Sequence, residues 1–179
     1  MIKSENCVFM LVDVQGKLAD VMHDRDALFD NLQRLVKGMQ ALRIPILWIE
    51  QIPAKMGPTI PQLAELLVNG TPIHKSCFSC CGNDEFTRRL TQLGRQQVIL
   101  AGIEAHVCIY QTAVDLLEAG LRVEVVADAV SSRVLSNKLV ALDRIKTAGA
   151  GLTSVETILF ELMRTAEHPA FRDVLKIVR

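Results

Sequence analysis

Apolar residues recur along this chain with two different periods, and the switches between them mark out its elements. Cys7-Val8-Phe9-Met10-Leu11-Val12 is an unbroken apolar run with β-branched members, which predicts a strand covered on both faces. Leu28, Leu32, Leu35, Val36, Met39 and Leu42 then recur at steps of three and four, the apolar stripe of one helix. A second strand is predicted over 44–49, with Pro45 tolerable only at its start. A loop rich in Pro and Gly follows over 52–58, and Thr59-Ile60-Pro61-Gln62 reads as a capping box opening a short helix through Leu67.

The alternation continues to the end of the chain. A brief strand over 72–75 precedes a helix over 85–93, closed by Gly94 as a left-handed stop. A strand over 97–101 ends at Gly102, and a helix over 105–119 ends at Gly120. A strand over 121–127, a helix over 135–148 and an edge strand over 151–153 come next. Ser154 caps a further helix, and Pro169 starts a last amphipathic one. Strands separated by helix-length crossovers predict the α/β class, a three-layer α-β-α arrangement around a mainly parallel, Rossmann-like sheet of about six strands. The sequence shows no repeats, low-complexity tracts or linkers, and 179 residues suit a single domain over 1–179.

Composition narrows the partners. Half of the residues are hydrophobic, an excess that fits strands buried on both faces, a homo-oligomer interface (dimer or higher), or both. Twenty basic residues balance twenty acidic ones, and neither sign collects in a block. A nucleic-acid or anionic-membrane partner would call for a basic patch, so a small-molecule substrate is expected instead. The 7–12 run is too short to cross a bilayer and no targeting segment is visible, which makes the cytoplasm the expected location. The five cysteines should then stay free thiols, and their odd number rules out a complete disulfide framework.

In an open parallel sheet, ligands bind beyond the carboxyl ends of the strands. Asp13 follows the first predicted strand, Lys75 ends the third, and Cys108 lies one turn into the helix after the fourth. A carboxylate, an ammonium and a thiol are thereby delivered to one edge. Cys108 is the natural nucleophile, its thiolate favoured at a helix N-terminus and by a nearby Lys75. Asp13 can take the thiol proton and return it to a leaving amine, and backbone N–H groups over 102–108 can hold an oxyanion. Each residue also has an ordinary reading: Cys108 as core filler, Asp13 as a turn cap, Lys75 as a solvated charge.

The motifs Leu11-Val12-Asp13-Val14-Gln15, His74-Lys75-Ser76-Cys77-Phe78-Ser79, Gly102-Ile103-Glu104-Ala105-His106-Val107-Cys108 and Ala127-Asp128-Ala129-Val130-Ser131-Ser132-Arg133 occur in this order. As a set they resemble the isochorismatase-like cysteine hydrolase superfamily, which includes nicotinamidases and carbamoylsarcosine-type amidohydrolases. The resemblance runs along nearly the whole chain. It implies a catalytic triad of Asp13, Lys75 and Cys108, a cis peptide at Ile103–Glu104, and an oxyanion hole from the N–H groups of Glu104 and Cys108. Glu50-Gln51-Ile52-Pro53 and Gly57-Pro58-Thr59-Ile60-Pro61-Gln62-Leu63 are similar to a compact, YcaC-related subgroup. The Asp-x-His motif of metal-binding nicotinamidases is replaced by Glu50-Gln51-Ile52, so no catalytic metal and no cofactor are expected. Isochorismate is a dianion, and apart from Lys75 and Arg133 the sequence offers no evident cationic anchors.

The expected activity is hydrolysis of a small amide, or another C–N bond at an acyl centre, through a thioester on Cys108. Gln15, Gln51, Phe78 and His106 are candidate pocket walls, with His106 equally able to cap the helix start. His74 should point away from the chemistry. Asp128, Ser132 and Arg133 should brace the loop after the fifth strand, and Trp48 reads as core or interface. Two other readings stand beside this one: a catalytically silent oligomeric binding or scaffold protein, and a thiol redox protein using Cys77 and Cys80, next to Cys81.

Overall fold

The computed structural model describes Met1–Arg179. Its strands are β1 (Cys7–Val12), β2 (Ile46–Gln51), β3 (Ile73–Lys75), β4 (Gln97–Ile103), β5 (Arg122–Ser131) and β6 (Gly151–Thr153). They form one six-stranded sheet in the order β3-β2-β1-β4-β5-β6, with every neighbouring pair parallel. The flanking helices are α1 (Gly16–Asp20), α2 (Arg25–Ala41), α3 (Pro53–Met56), α4 (Pro61–Ala64), α5 (Asp84–Leu93), α6 (Tyr110–Glu118), α7 (Leu135–Thr147), α8 (Val155–Met163) and α9 (Phe171–Val178).

The continuous apolar run of β1 follows from its central place, since parallel strands covered by helices on both sides have no face for water. All six of its residues are buried. Successive side chains divide between the layers: Phe9 and Leu11 join the core beneath α2, α8 and α9, while Val8, Met10 and Val12 join the one beneath α5, α6 and α7. The stripe on α2 buries Leu28, Leu32, Leu35, Val36 and Met39 against the sheet. Local chemistry sets several helix ends. Asn83 accepts from the N–H of Phe86 to open α5, Gly94 closes it in the left-handed region, and Ser154 accepts from Thr157 to open α8.

Several local expectations give way to longer-range contacts. Thr59 caps no helix; its hydroxyl and N–H both donate to Glu50 Oε1, and α4 begins at Pro61 without a side-chain cap. The 52–58 loop holds the short helix α3. β4 passes through Gly102 to Ile103, and Gly102 has φ +124°, where a Cβ would lie 2.0 Å from the Val12 carbonyl oxygen. Only glycine allows that approach of β4 to β1. β5 runs to Ser131 because its pairing with β4 shifts register between Leu100 and Gly102. The helix after β4 starts as a π turn over Ala105–Ile109 before α6, with the N–H of Ile109 donating to the Glu104 carbonyl.

The chain leaves β1 toward β2 on one side of the sheet, and β4 pairs on the other side. That reversal opens a crevice at the carboxyl ends of β1 and β4, the usual ligand position in such sheets.

Candidate active site

Asp13 is the first residue after β1 and adopts φ 57°, a left-handed conformation that aspartate tolerates better than most residues. The turn puts its carboxyl at the crevice. Lys75 lies at the end of β3, two strands away, so only a long side chain can cover the roughly 10 Å involved. It does so over Gln51, at the end of the intervening β2. Cys108 comes from the π turn, whose widened backbone starts directly beyond β4.

The three side chains meet in the interior. Lys75 Nζ donates to Asp13 Oδ2 at 2.7 Å and lies 3.7 Å from Cys108 Sγ. It also donates to Gln51 Oε1 and to the carbonyls of Cys77 and Phe78, the latter two at 3.1 Å. Lys75 is 0% and Asp13 4% exposed at the side chain, so the pair is buried. Asp13 Oδ1 is buried with no hydrogen-bond partner. The Cys108 thiol lies close enough to the Asp13 carboxyl to hydrogen-bond to it, so that carboxyl can act as its proton acceptor.

The electrostatics run against one sequence expectation. Burial pushes the Cys108 thiol up to about 12, and the neighbouring Asp13 charge adds to this, while Lys75 pulls it partly back. Desolvation and the adjacent carboxylate thus outweigh the helix terminus and the ammonium, and favour the protonated thiol. Burial also raises Asp13 above the ordinary carboxylate value, against the opposing influence of Lys75. Lys75 is lowered by burial but lifted more by Asp13, Cys108 and Cys80 together, which leaves it above the usual lysine value. Burial thus opposes ionisation of the Cys108 thiol, which sits beside the buried Asp13–Lys75 pair.

A cavity of about 210 Å³ opens onto this group, lined by Asp13, Gln15, Gln51, Phe78, Glu104 and Cys108 among others. Its remaining walls are mostly apolar: Leu18, Ile52, Met56, Ile103 and Val107, with Lys55 as well. Gln15 and Gln51 contribute little free polarity, since their amides tie loops together. Gln15 accepts from the N–H of Gln51 and donates to the carbonyls of Gln51 and Gly57. Gln51 Nε2 donates to Ser76. Phe78 stands 57% exposed beside the cavity. The Ile103–Glu104 peptide bond is cis, and Glu104 Oε1 accepts from the N–H and Nε of Arg133.

Other candidates lie elsewhere. His106 does not line the cavity; its Nδ1 is 2.9 Å from Ser132 Oγ, which fixes the ring against the loop after β5. Asp128 stands within β5, and its Oδ1 accepts from the N–H of Val155, bracing α8 instead of a loop. His74 points away from the cavity and meets Glu50 Oε2 at 3.3 Å, while Glu50 Oε1 is taken by Thr59. Trp48 is half-buried, with Nε1 donating to Thr59. Cys80 is wholly buried and its thiol is pushed far up by burial; Cys81 is pushed up to about 11 for the same reason. All five cysteines are free thiols.

Several residues that line the cavity carry no usable sequence signal. Lys55 and Met56 were hidden in what read as an irregular loop, although its Pro53 is a common first residue of a helix. Leu18 carries no chemical signal of its own, and Val107 stands in the motif that ends at Cys108 without a polar group to mark it.

Residues 7–157 match the isochorismatase domain family. The chain is 38% identical over 179 residues to "Isochorismatase domain-containing protein 2" of Danio rerio, covering 99% of this chain and 89% of that protein. Among solved structures it is similar to the MAR1 ribonuclease from Caenorhabditis elegans, with a TM-score of 0.93, 39% identity, and 99% and 91% of the two chains covered. It is also similar to the YcaC gene product from Escherichia coli, described as an octameric hydrolase of unknown specificity. That match has a TM-score of 0.89, 23% identity, and covers 98% and 94% of the two chains. No helix is long and apolar enough to cross a membrane.

Proposed function

The chain belongs to the isochorismatase family, and from that premise we propose that it is a cysteine hydrolase of small amides with Cys108 as nucleophile. The observation that carries this reading is the buried meeting of Asp13, Lys75 and Cys108 at the wall of a small cavity, with Asp13 Oδ1 unpartnered. Because burial favours the protonated thiol, attack and proton transfer proceed together: Cys108 Sγ bonds to the carbonyl carbon as Asp13 takes the thiol proton. Lys75 stays an ammonium throughout and offsets the carboxylate charge. The N–H groups of Glu104 and Cys108 receive the developing oxyanion.

Collapse breaks the C–N bond, the nitrogen leaves with the proton from Asp13, and a thioester remains on Cys108. Asp13 then deprotonates a water that attacks the thioester, releasing the acid and restoring the thiol. A screen of small amides with wild type, Cys108→Ala and Asp13→Asn tests this. Both variants should fold and lose turnover by at least about a hundredfold; full activity in Cys108→Ala would overturn the mechanism.

A second reading rests on the similarity to a protein described as a ribonuclease. The cavity of about 210 Å³ with mainly apolar walls, and the balanced charge of the chain, favour a small substrate over a polynucleotide. RNA belongs in the same screen, and Cys108-dependent cleavage of it would transfer the reading.

The same reading includes self-association of the chain. Val134, Leu135, Leu139 and Val140 are all more than 40% exposed around the first turns of α7, a face suited to a second copy of the chain. The octameric description of the YcaC neighbour supports this.

A further inference from the structure

Resting on the amide-hydrolase reading, we infer that Lys55 selects the substrate, which is a short amide carrying a carboxylate at the end remote from the scissile bond. The charges around the cavity nearly cancel. Asp13 is paired with Lys75, Glu104 with Arg133, and burial favours the neutral Cys108 thiol. Lys55 alone lines the cavity with no carboxylate in ion-pair range and no side-chain hydrogen bond. Lys55 is an exposed side chain, and Ile52, Met56 and Val107 give the same cavity apolar lining beside the nucleophile. That arrangement suits a short hydrocarbon segment with an amide at one end and an anion at the other.

The backbone that carries this lysine is anchored to the catalytic group. The N–H of Ile52, just before α3, donates to the Lys75 carbonyl at 2.9 Å. At the other end of α3, Gln15 donates to the Gly57 carbonyl at 2.7 Å. Gly16 packs against the same helix so closely that a Cβ there would lie 2.2 Å from the Met56 carbonyl oxygen. Lys55 therefore springs from a backbone held in register with Lys75 and with the turn after Asp13. A cation placed in this way discriminates by charge and by the length of the ligand. Hydrolysis of such a substrate consumes water and yields ammonia and a dicarboxylate.

The test uses ω-carboxyl amides of three to six carbons beside their neutral, carboxylate-free counterparts. Binding to Cys108→Ala is measured by calorimetry, and acylation of otherwise wild-type protein by intact-mass spectrometry. One chain length of the anionic series should bind and acylate about tenfold better than its neutral partner. Lys55→Ala should erase that ratio, and Lys55→Arg should keep it. Acylation by neutral and anionic amides alike, with a ratio unaffected by Lys55→Ala, overturns the selection while leaving the nucleophile intact. Lys55-dependent binding to Cys108→Ala without acylation of the parent protein would sink the hydrolase mechanism but uphold the anion site. No binding of any anionic amide overturns the inference.

Discussion

Replacing Lys75 with methionine keeps most of the side-chain volume and deletes the one cation in the buried network. Four oxygen acceptors lose their donor: Asp13 Oδ2, Gln51 Oε1 and the carbonyls of Cys77 and Phe78. The carboxylate dominates, because removing one partner of a buried ion pair leaves an uncompensated charge and costs about 3–5 kcal/mol. For a chain of this size that lowers the melting temperature by roughly 10 °C.

The loss depends on pH with a definite sign. Asp13 is already raised by burial against the influence of Lys75, so deleting Lys75 raises it further. A carboxyl with a raised folded-state value costs stability above that value, and the cost disappears as pH falls below the unfolded value of about 4. The gap between wild type and Lys75→Met should therefore be widest near pH 8 and narrow steadily toward pH 4. Urea melts at each pH measure it. Adding Asp13→Asn to Lys75→Met should restore most of the stability near pH 8, since the unpaired charge is gone. A gap below about 1 kcal/mol at pH 8, or one that does not change with pH, would mean instead that Asp13 is not left as an unpaired buried charge, because water or another donor replaces the ammonium.

Further outcomes follow from other parts of the structure. Asp13→Asn removes the charge that helps hold the Cys108 thiol at about 12, so alkylation of Cys108 by iodoacetamide at pH 8 should accelerate while amide turnover is lost. In wild type, kcat/KM should fall on the acid side as Asp13 protonates, at a pH above that of an ordinary carboxylate, as a pH–rate profile would show. Gly102→Ala forces a Cβ against the Val12 carbonyl at a position with φ +124° and should prevent accumulation of folded protein, read by circular dichroism. Leu139→Glu together with Val140→Lys should lower the mass observed by light scattering without lowering the melting temperature of the isolated chain.

The contrast between the legible and the hidden is physical. β1 announces itself because a strand covered on both sides has apolar residues at every position, and α8 because Ser154 and Thr157 carry its cap within one turn. That Asp13, Lys75 and Cys108 would meet follows from strand-end geometry, which needs only the order of the elements. Thr59 misleads because its hydroxyl is claimed by Glu50 nine positions away, a contact no local pattern encodes. The π turn around Cys108 leaves apolar spacing indistinguishable from an α-helix. The resting state of the thiol depends on desolvation, and depth of burial is a property of the packed molecule. The same holds for Lys55, whose place at the cavity is decided by Gln15 and Gly16 acting on the far end of α3.

In the proposed reaction, the acyl carbon becomes covalently attached to one sulfur through the action of one carboxylate. Rapid acid quench of wild type with a turned-over amide, followed by peptide mapping, measures this directly. An acyl mass should appear on the peptide carrying Cys108 alone and be absent in Asp13→Asn. An acyl group on Cys77 or Cys81, or equal accumulation on Cys108 in Asp13→Asn, would contradict it.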